Sequence, residues 1–417
     1  MRFLRTASTG RLLATIAGAL AAVAACAAIA VATTGSGPVP RPTTLAKGIH
    51  SALVAGRHEP VQGVSADISF TDNLIDSTDL TGRTVDPLLQ GASGRLWWAA
   101  DGRFRLELQS GDGDAQIVVD QRSWWISDPA QNVVLKGTLP AGSHGTGSSK
   151  RNPSGSGSPS ASHGLPTIAA IEGRLAALMQ RWHLTGPTAT DVGGRPAYRV
   201  TVSPKTSAGL LGSVQLAWDA SRGIPLQFEV YARGGTSPVL GLRATSISYG
   251  TVPASVFDIS PPVGAHVVAL GNASAPARHA RTGHGEPGRT RHGKPVKGAR
   301  EVAAHLSFPL HRPARIDGLS LRRVSLEGHD AALLLYGHGL GTIAAIEARA
   351  GARASSPSSL GGISLPSRTV DGASATVLST PLGTVLRFSR QGVAYTVLGS
   401  VTASSAVSAA RGLAAGG

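Results

Sequence analysis

Period-two alternation between tight turns governs what this chain can become. The run "RFRLEL" sets Phe104, Leu106 and Leu108 on one side and Arg103, Arg105 and Glu107 on the other, the pattern of a half-buried strand. "GVSADISF" repeats it with Val64, Ala66, Ile68 and Phe70. "AQIVVDQRSWWI" reads as two strands around a turn at Asp120 to Ser123. "TATDVGGRPAYRVTV" reads as a Gly-Gly hairpin with Tyr198, Val200 and Val202 on one face. "SVQLAWDASRGIPLQFEVYA" gives a second hairpin and "LRATSISYGTV" a further strand. Helical spacing interrupts these strands twice. It places Leu45, Ile49, Leu53 and Val54 together, and later Ile168, Ile171, Leu175, Leu178, Met179 and Trp182. The expected fold is mainly β (α+β), an antiparallel sheet with helices on one side.

Adjacent tryptophans restrict that sheet further. Trp97-Trp98 and Trp124-Trp125 take four of the chain's six tryptophans. Neighbours in a strand point to opposite faces, so within each pair one ring faces the helices and the other does not. Two accounts stand side by side. An amphipathic ring caps the sheet, or the sheet curls into an open half-barrel whose apolar inner surface the helices cover only in part. On the second account the cavity is lined by one of each pair (Trp97 or Trp98, Trp124 or Trp125). Phe104, Leu106, Leu108, Val118, Leu175, Leu178, Met179, Trp182, Tyr198 and Trp218 are the other candidates. The helix ending at Met179 and Trp182 is either core or a lid. A methionine beside a tryptophan suits a surface that re-packs around a flexible tail.

The chain has 417 residues, enough for two or three domains. Its N-terminus carries Arg2, Arg5 and Arg11 and then 21 residues without charge, Leu12 to Ala32. Residues 1–33 are therefore an export signal or an N-terminal membrane anchor. Three outcomes compete: retention as a span, cleavage after Ala30-Val31-Ala32, or lipidation of Cys26 within "VAAC". In each case the rest of the chain works outside the cytoplasmic membrane, anchored or secreted. A tether follows at 34–44. A first folded part covers 45–268, interrupted by a low-complexity insert at 140–164 that is too polar to fold. A basic linker at 269–300, a second folded part at 301–413 and a fraying tail at 414–417 complete the order. Of the net charge of +15, +6 lies in Pro276 to Arg300. No folded face need be basic, which argues against nucleic acid as a partner and favours a solvated or lipid-resting linker.

The motifs of chemistry are missing from the sequence. No G-x-S-x-G, H-E-x-x-H or P-loop occurs. "GHGLG", Gly337 to Gly341, lacks the strand–helix context of a nucleotide loop and fits a turn. Six of the 13 histidines lie in or near linkers, and Asp67, Asp72, Asp76 and Asp79 lack calcium-loop spacing. The single Cys26 excludes a cysteine metal cluster. No enzyme, cofactor or metal is expected.

The ordered elements resemble the LolA-type superfamily of periplasmic lipoprotein carriers, which includes the RseB-type envelope-stress sensors. "GRLWWAADGRFRLEL", "IVVDQRSWWISDPAQNVV", "GRPAYRVTVSP", "LAWDASRGIPLQFEVYA" and "ISYGTVPASVFDISPPVGAHVV" carry the resemblance over about Leu45 to Val268. One departure is Gln121, where the family's turn takes glycine. The resemblance implies a curved antiparallel half-barrel lidded by helices, with acyl chains of a lipid or lipoprotein as ligand. Its sensor branch implies an anti-sigma or other envelope protein as partner. From Glu301 on, "FPLHRPARIDG", "LLLYGHG" and "GTVLRFSRQGVAYTVLG" resemble a small α+β module of membrane-anchored Gram-positive proteins.

Overall fold

The alternating runs pair into one twelve-stranded sheet. The computed structural model describes residues 39–58, 60–75, 91–109, 114–129, 132–139, 165–269, 296–351, 359–360, 363–364 and 366–415. The N-terminal segment with Cys26, the insert at 140–164, most of the basic linker and residues 416–417 lie outside the described residues. Among the described residues no helix is long and apolar enough to cross a membrane.

Strands β1 (Gly63–Asp72), β2 (Ala92–Ala99), β3 (Phe104–Leu108), β4 (Ala115–Asp120), β5 (Ser123–Asp128) and β6 (Val133–Thr138) run as one antiparallel meander. A second comprises β7 (Trp182–Val192), β8 (Arg195–Pro204), β9 (Leu211–Asp219), β10 (Pro225–Ala232) and β11 (Pro238–Tyr249). β11 pairs antiparallel with β1 and joins the halves. β12 (His266–Ala269) adds to β6 at one edge, in parallel. Ladder irregularities fall at Asp67/Ile68 in β1, at Pro225/Gln227 and Val230/Tyr231 in β10, and at Thr185/Thr188 in β7. Such bulges bend a strand and raise its twist, and the sheet curls into an antiparallel half-barrel. Gly94 permits its tightest approach, since a Cβ there would collide with the carbonyl oxygen of Glu107. The inner face gathers Val64, Ala66, Ile68 and Phe70 from β1, Phe104, Leu106 and Leu108 from β3, and Ile117 and Ile126.

Glycine fills most of the left-handed turn positions, and Gln121 and Gln391 are among the exceptions. Gly193 and Gly194 join β7 to β8 with φ of 61° and 72°, the left-handed pair a tight hairpin needs. Gln121, first in the two-residue loop between β4 and β5, holds φ of 51° without being glycine.

Helix α1 (Leu45–His58) presents a different face from the one its sequence suggests. Ala46, Gly48 and Gly56 are buried, while Leu45, Ile49, Leu53 and Val54 are only half-buried. The Trp218 ring lies beneath it, 3.6 Å from where a Cβ on Gly48 would sit, and Ala52 lies against Gly223. Small residues let the helix settle on that ring. Helix α2 (Ile168–Leu178) lies beside α1 rather than on the sheet, with Pro166 just ahead of it contacting the His50 ring through its carbonyl (3.1 Å).

A second sheet forms from residues 315–399. Its order is β13 (Arg315–Ile316), β14 (Leu319–Leu326), β15 (Ala331–Tyr336), β16 (Ile343–Arg349), β22 (Val393–Gly399), β21 (Gly383–Arg390), β20 (Ala373–Thr380) and β19 (Ser367–Val370). A short hairpin, β17 (Ser359–Leu360) with β18 (Ile363–Ser364), stands apart. The linker ends earlier than its composition suggests: Lys297 bridges to Ser325, and helix α3 (Ala299–Ala303) buries Val302. The tail also departs from expectation. Helix α4 (Ala403–Ala414) takes in the first residue of the expected tail, Ala414, which is buried with Leu413 against the sheet.

Glu347 is fully buried in this second core. Its Oε2 accepts the His311 amide at 2.9 Å, and the Tyr395 hydroxyl lies 2.6 Å from His311 Nδ1. Desolvation pushes the Glu347 carboxyl up to about 7. Burial and then the Glu347 charge raise both Tyr336 and Tyr395.

The two sheets meet at the loop ahead of β9. The Leu210 amide donates to Ser400 Oγ at 2.8 Å, and Ser400 Oγ donates to the Leu382 carbonyl. Gly209, with φ of 85°, leaves room for Leu340, and Gly341 lies against Ala208. The Gly337 to Gly341 turn is thus a docking loop as well as a hairpin connection.

Candidate functional site

The curl leaves an apolar groove on the inner face of the first sheet. It opens to solvent, and the space it encloses is about 80 Å³. One wall comes from Val64, Ala66 and Ile68 of β1, Leu96 and Trp98 of β2 and Phe104 of β3. The other comes from Ile224, Pro225, Leu226, Gln227 and Phe228 around the start of β10 and Leu242, Ala244 and Ile247 of β11. Gln227 is the one amide in this wall, and its Oε1 accepts from Arg199 Nη2 at 3.2 Å.

Strand register decides where each candidate residue lies. Trp98 and Phe104 line the groove. Leu106 and Leu108 share their face but are fully buried in the core, deeper than the groove reaches. Trp124 packs against that core too, yet its ring lies over Gly137 on the neighbouring strand, 2.8 Å from where a Cβ would sit. Trp97, Val118 and Trp125 are excluded by pairing. Trp97 stands opposite Arg105, Arg105 opposite Val118, and Val118 opposite Trp125. All three therefore occupy the outer face, where the Arg105 guanidinium lies 5.0 Å from the Trp97 ring centroid and donates to the Val256 carbonyl.

The remaining candidates serve the helices. Trp218 and Tyr198 have ring centroids 6.0 Å apart beneath α1, and the Tyr198 hydroxyl donates to the Arg41 carbonyl at 2.7 Å. Trp182 is half-buried at the start of edge strand β7. Leu175 is half-buried on α2, whereas Leu178 and Met179 are exposed. The helix expected as a lid does not line the groove and lies beside α1 instead.

A polar knot borders the groove beyond Ile224 and Ile247. Asp219 Oδ1 accepts from the Ser221 amide and hydroxyl and from the Arg222 amide, while Oδ2 accepts from the Tyr249 hydroxyl at 2.7 Å. Arg195 and Arg222 lie over the Tyr249 ring, 5.0 and 4.0 Å from its centroid. Burial, and then the Asp219 charge, raise Tyr249 far above an ordinary phenol. The knot fixes the turn from which β10 delivers Ile224 to Phe228.

Sequence reasoning missed the whole β10–β11 wall. "IPLQFEV" and "LRATSI" look like ordinary strands, and only pairing with β1 brings them opposite Trp98. Among the described residues no group of three or more metal-ligating side chains lies together.

No family model and no curated protein matches this chain. Among solved structures, it is similar to MucB in complex with MucA(peri), with a TM-score of 0.35 and 16% identity over 84% of this chain and 91% of that one. It is similar to the MucA/MucB complex of Pseudomonas aeruginosa, with a TM-score of 0.36, 16% identity and the same coverage. A putative outer membrane lipoprotein-sorting protein domain from Vibrio parahaemolyticus gives a TM-score of 0.18 and 12% identity, over 51% of this chain and 95% of that one.

Proposed function

We propose that this chain binds the acyl chain of a lipid or lipidated protein in the groove, outside the cytoplasmic membrane, and does so without catalysing a reaction. The observation that carries the reading is the wall itself: aliphatic and aromatic side chains throughout, with Gln227 the only amide and no titratable group. Each methylene moved from water into such a wall gains about 0.8 kcal/mol. Five or six of them offset several kcal/mol of lost translational and rotational freedom. The Gln227 carbonyl accepts from Arg199, so the one amide in the wall has a partner within the protein.

Leu242 is half-buried at the groove, so Leu242→Trp fills the slot with little strain on the core. Lipid extracted from the purified protein and identified by mass spectrometry is expected in the native chain and lost in folded Leu242→Trp. Equal lipid content in both proteins overturns the reading.

A second reading is a sensor acting on an anti-sigma partner. It is favoured by the Leu210–Ser400 link, which ties β9, beside the groove-forming β10, to the second sheet. Co-purification of such a partner that depends on groove occupancy distinguishes it from simple carriage.

A further inference from the structure

Helix α2 is apolar almost all round yet lies on the surface. Its sequence, IAAIEGRLAAL, has three residues that are not alanine, isoleucine or leucine, and only Ile171 is buried. Ala169, Ala170, Ala176 and Ala177 are exposed, Leu178 is 41% exposed, and Met179, which caps the helix, is 46% exposed. The helix is locally well closed, since Thr167 Oγ1 accepts the Ala170 amide. A helix with this composition is ordinarily covered, and side chains as large as Leu and Met exposed in adjacent positions mark a contact surface.

The charge around the apolar end indicates what covers it. Arg174 lies one turn before Leu178, and Arg181 follows two residues after Met179. The Lys205 amide donates to the Arg181 carbonyl, which brings a third cation into the same neighbourhood. Arg174, Arg181 and Lys205 are all exposed. Between Leu165 and Thr190 the only acid is Glu172. Apolar tips ringed by cations match the boundary between acyl chains and anionic headgroups. A second copy of this chain, itself cationic, would bring like charges together at the rim.

We infer that the C-terminal end of α2, with Leu178 and Met179 as the inserting side chains and Arg174, Arg181 and Lys205 as the headgroup contacts, docks the protein onto an anionic lipid surface. This contact is separate from the groove and does not depend on the groove being occupied.

The test uses the full chain with Cys26→Ser and an environment-sensitive fluorophore on Ala177→Cys, an exposed position on α2. The fluorophore reports on this site alone, whatever the N-terminal segment does. Vesicles of phosphatidylcholine with phosphatidylglycerol are expected to shift its emission to shorter wavelength and shield it from aqueous iodide. Pure phosphatidylcholine and high salt are expected to leave it in water. Leu178→Asp with Met179→Asp, or Arg174→Glu with Arg181→Glu, should weaken the response roughly tenfold or more. Both pairs are exposed, so circular dichroism should show an unchanged fold. No shift with anionic vesicles, or an equal shift with neutral ones, overturns the inference. So does a shift that grows with protein concentration without vesicles, which identifies a second copy as the cover.

Discussion

Trp97 and Trp98, joined by one peptide bond, face opposite sides of the sheet. Trp98 lines the groove opposite β10 and β11. Trp97 lies on the outer face beneath Arg105 and packs with Val252, Val256 and Phe257. Truncating them should therefore separate binding from stability. Trp97→Ala removes packing and a cation–π contact, and should cost about 2 kcal/mol in urea denaturation while leaving bound lipid unchanged. Trp98→Ala widens the groove, and should change the amount or chain length of bound lipid at a smaller cost in stability.

The strand positions were legible because alternation is local. The Gly193-Gly194 turn, the outward Arg105 and Glu107 and the inward Phe104, Leu106 and Leu108 all follow from residues within a few positions of one another. The groove was legible only in part. Its second wall depends on β11 pairing with β1 and on the bulges at Asp67/Ile68 and Pro225/Gln227, contacts between residues far apart in the chain. The helices misled for a related reason. Periodicity marks an apolar stripe, but Ala46, Gly48 and Gly56 are the residues α1 buries, with Gly48 against the Trp218 ring. Nothing in the α2 sequence says that it packs beside α1.

Gln121 offers a test of local strain. It holds φ of 51° at an exposed hairpin position where glycine carries no Cβ penalty. Gln121→Gly relieves that penalty and adds some freedom to the unfolded chain. A net gain of about 0.5 kcal/mol in the unfolding free energy is expected, with bound lipid unchanged. A loss of stability would show that the Gln121 side chain contributes more than its backbone costs.

Glu347 makes the second sheet sensitive to pH. Desolvation lifts its carboxyl from an ordinary 4.5 to about 7, so the folded state binds its proton more tightly than the unfolded state does. Below pH 4.5 both states are protonated and folding carries no penalty. As pH rises toward 7 the unfolded state ionises first and stability falls, by at most about 3 kcal/mol. Above pH 7 the loss is complete. Glu347→Gln keeps an acceptor for the His311 amide and cannot ionise. The difference in stability between native and variant protein, measured from pH 4 to 8, should start near zero and grow in favour of the variant. A constant difference would mean that Glu347 stays neutral, or stays charged, across the whole range.

Leu106 looks in sequence like a groove residue, and its burial gives it another role. It is 0% exposed at the centre of the inner core, between its partners Leu96 on β2 and Ile117 on β4. A carboxylate placed there has no solvent and no cation facing it from either partner. Burying such a charge is among the larger single-site penalties. Leu106→Asp is therefore expected to unfold the first sheet, so that its loss of lipid would report on folding rather than on the groove. Leu106→Val removes one methylene at the same place and should cost about 1 kcal/mol, with lipid retained. If folded Leu106→Val releases its lipid while Leu242→Trp keeps it, the occupied surface is the β3 side of the inner face and the β10–β11 wall is not part of the site.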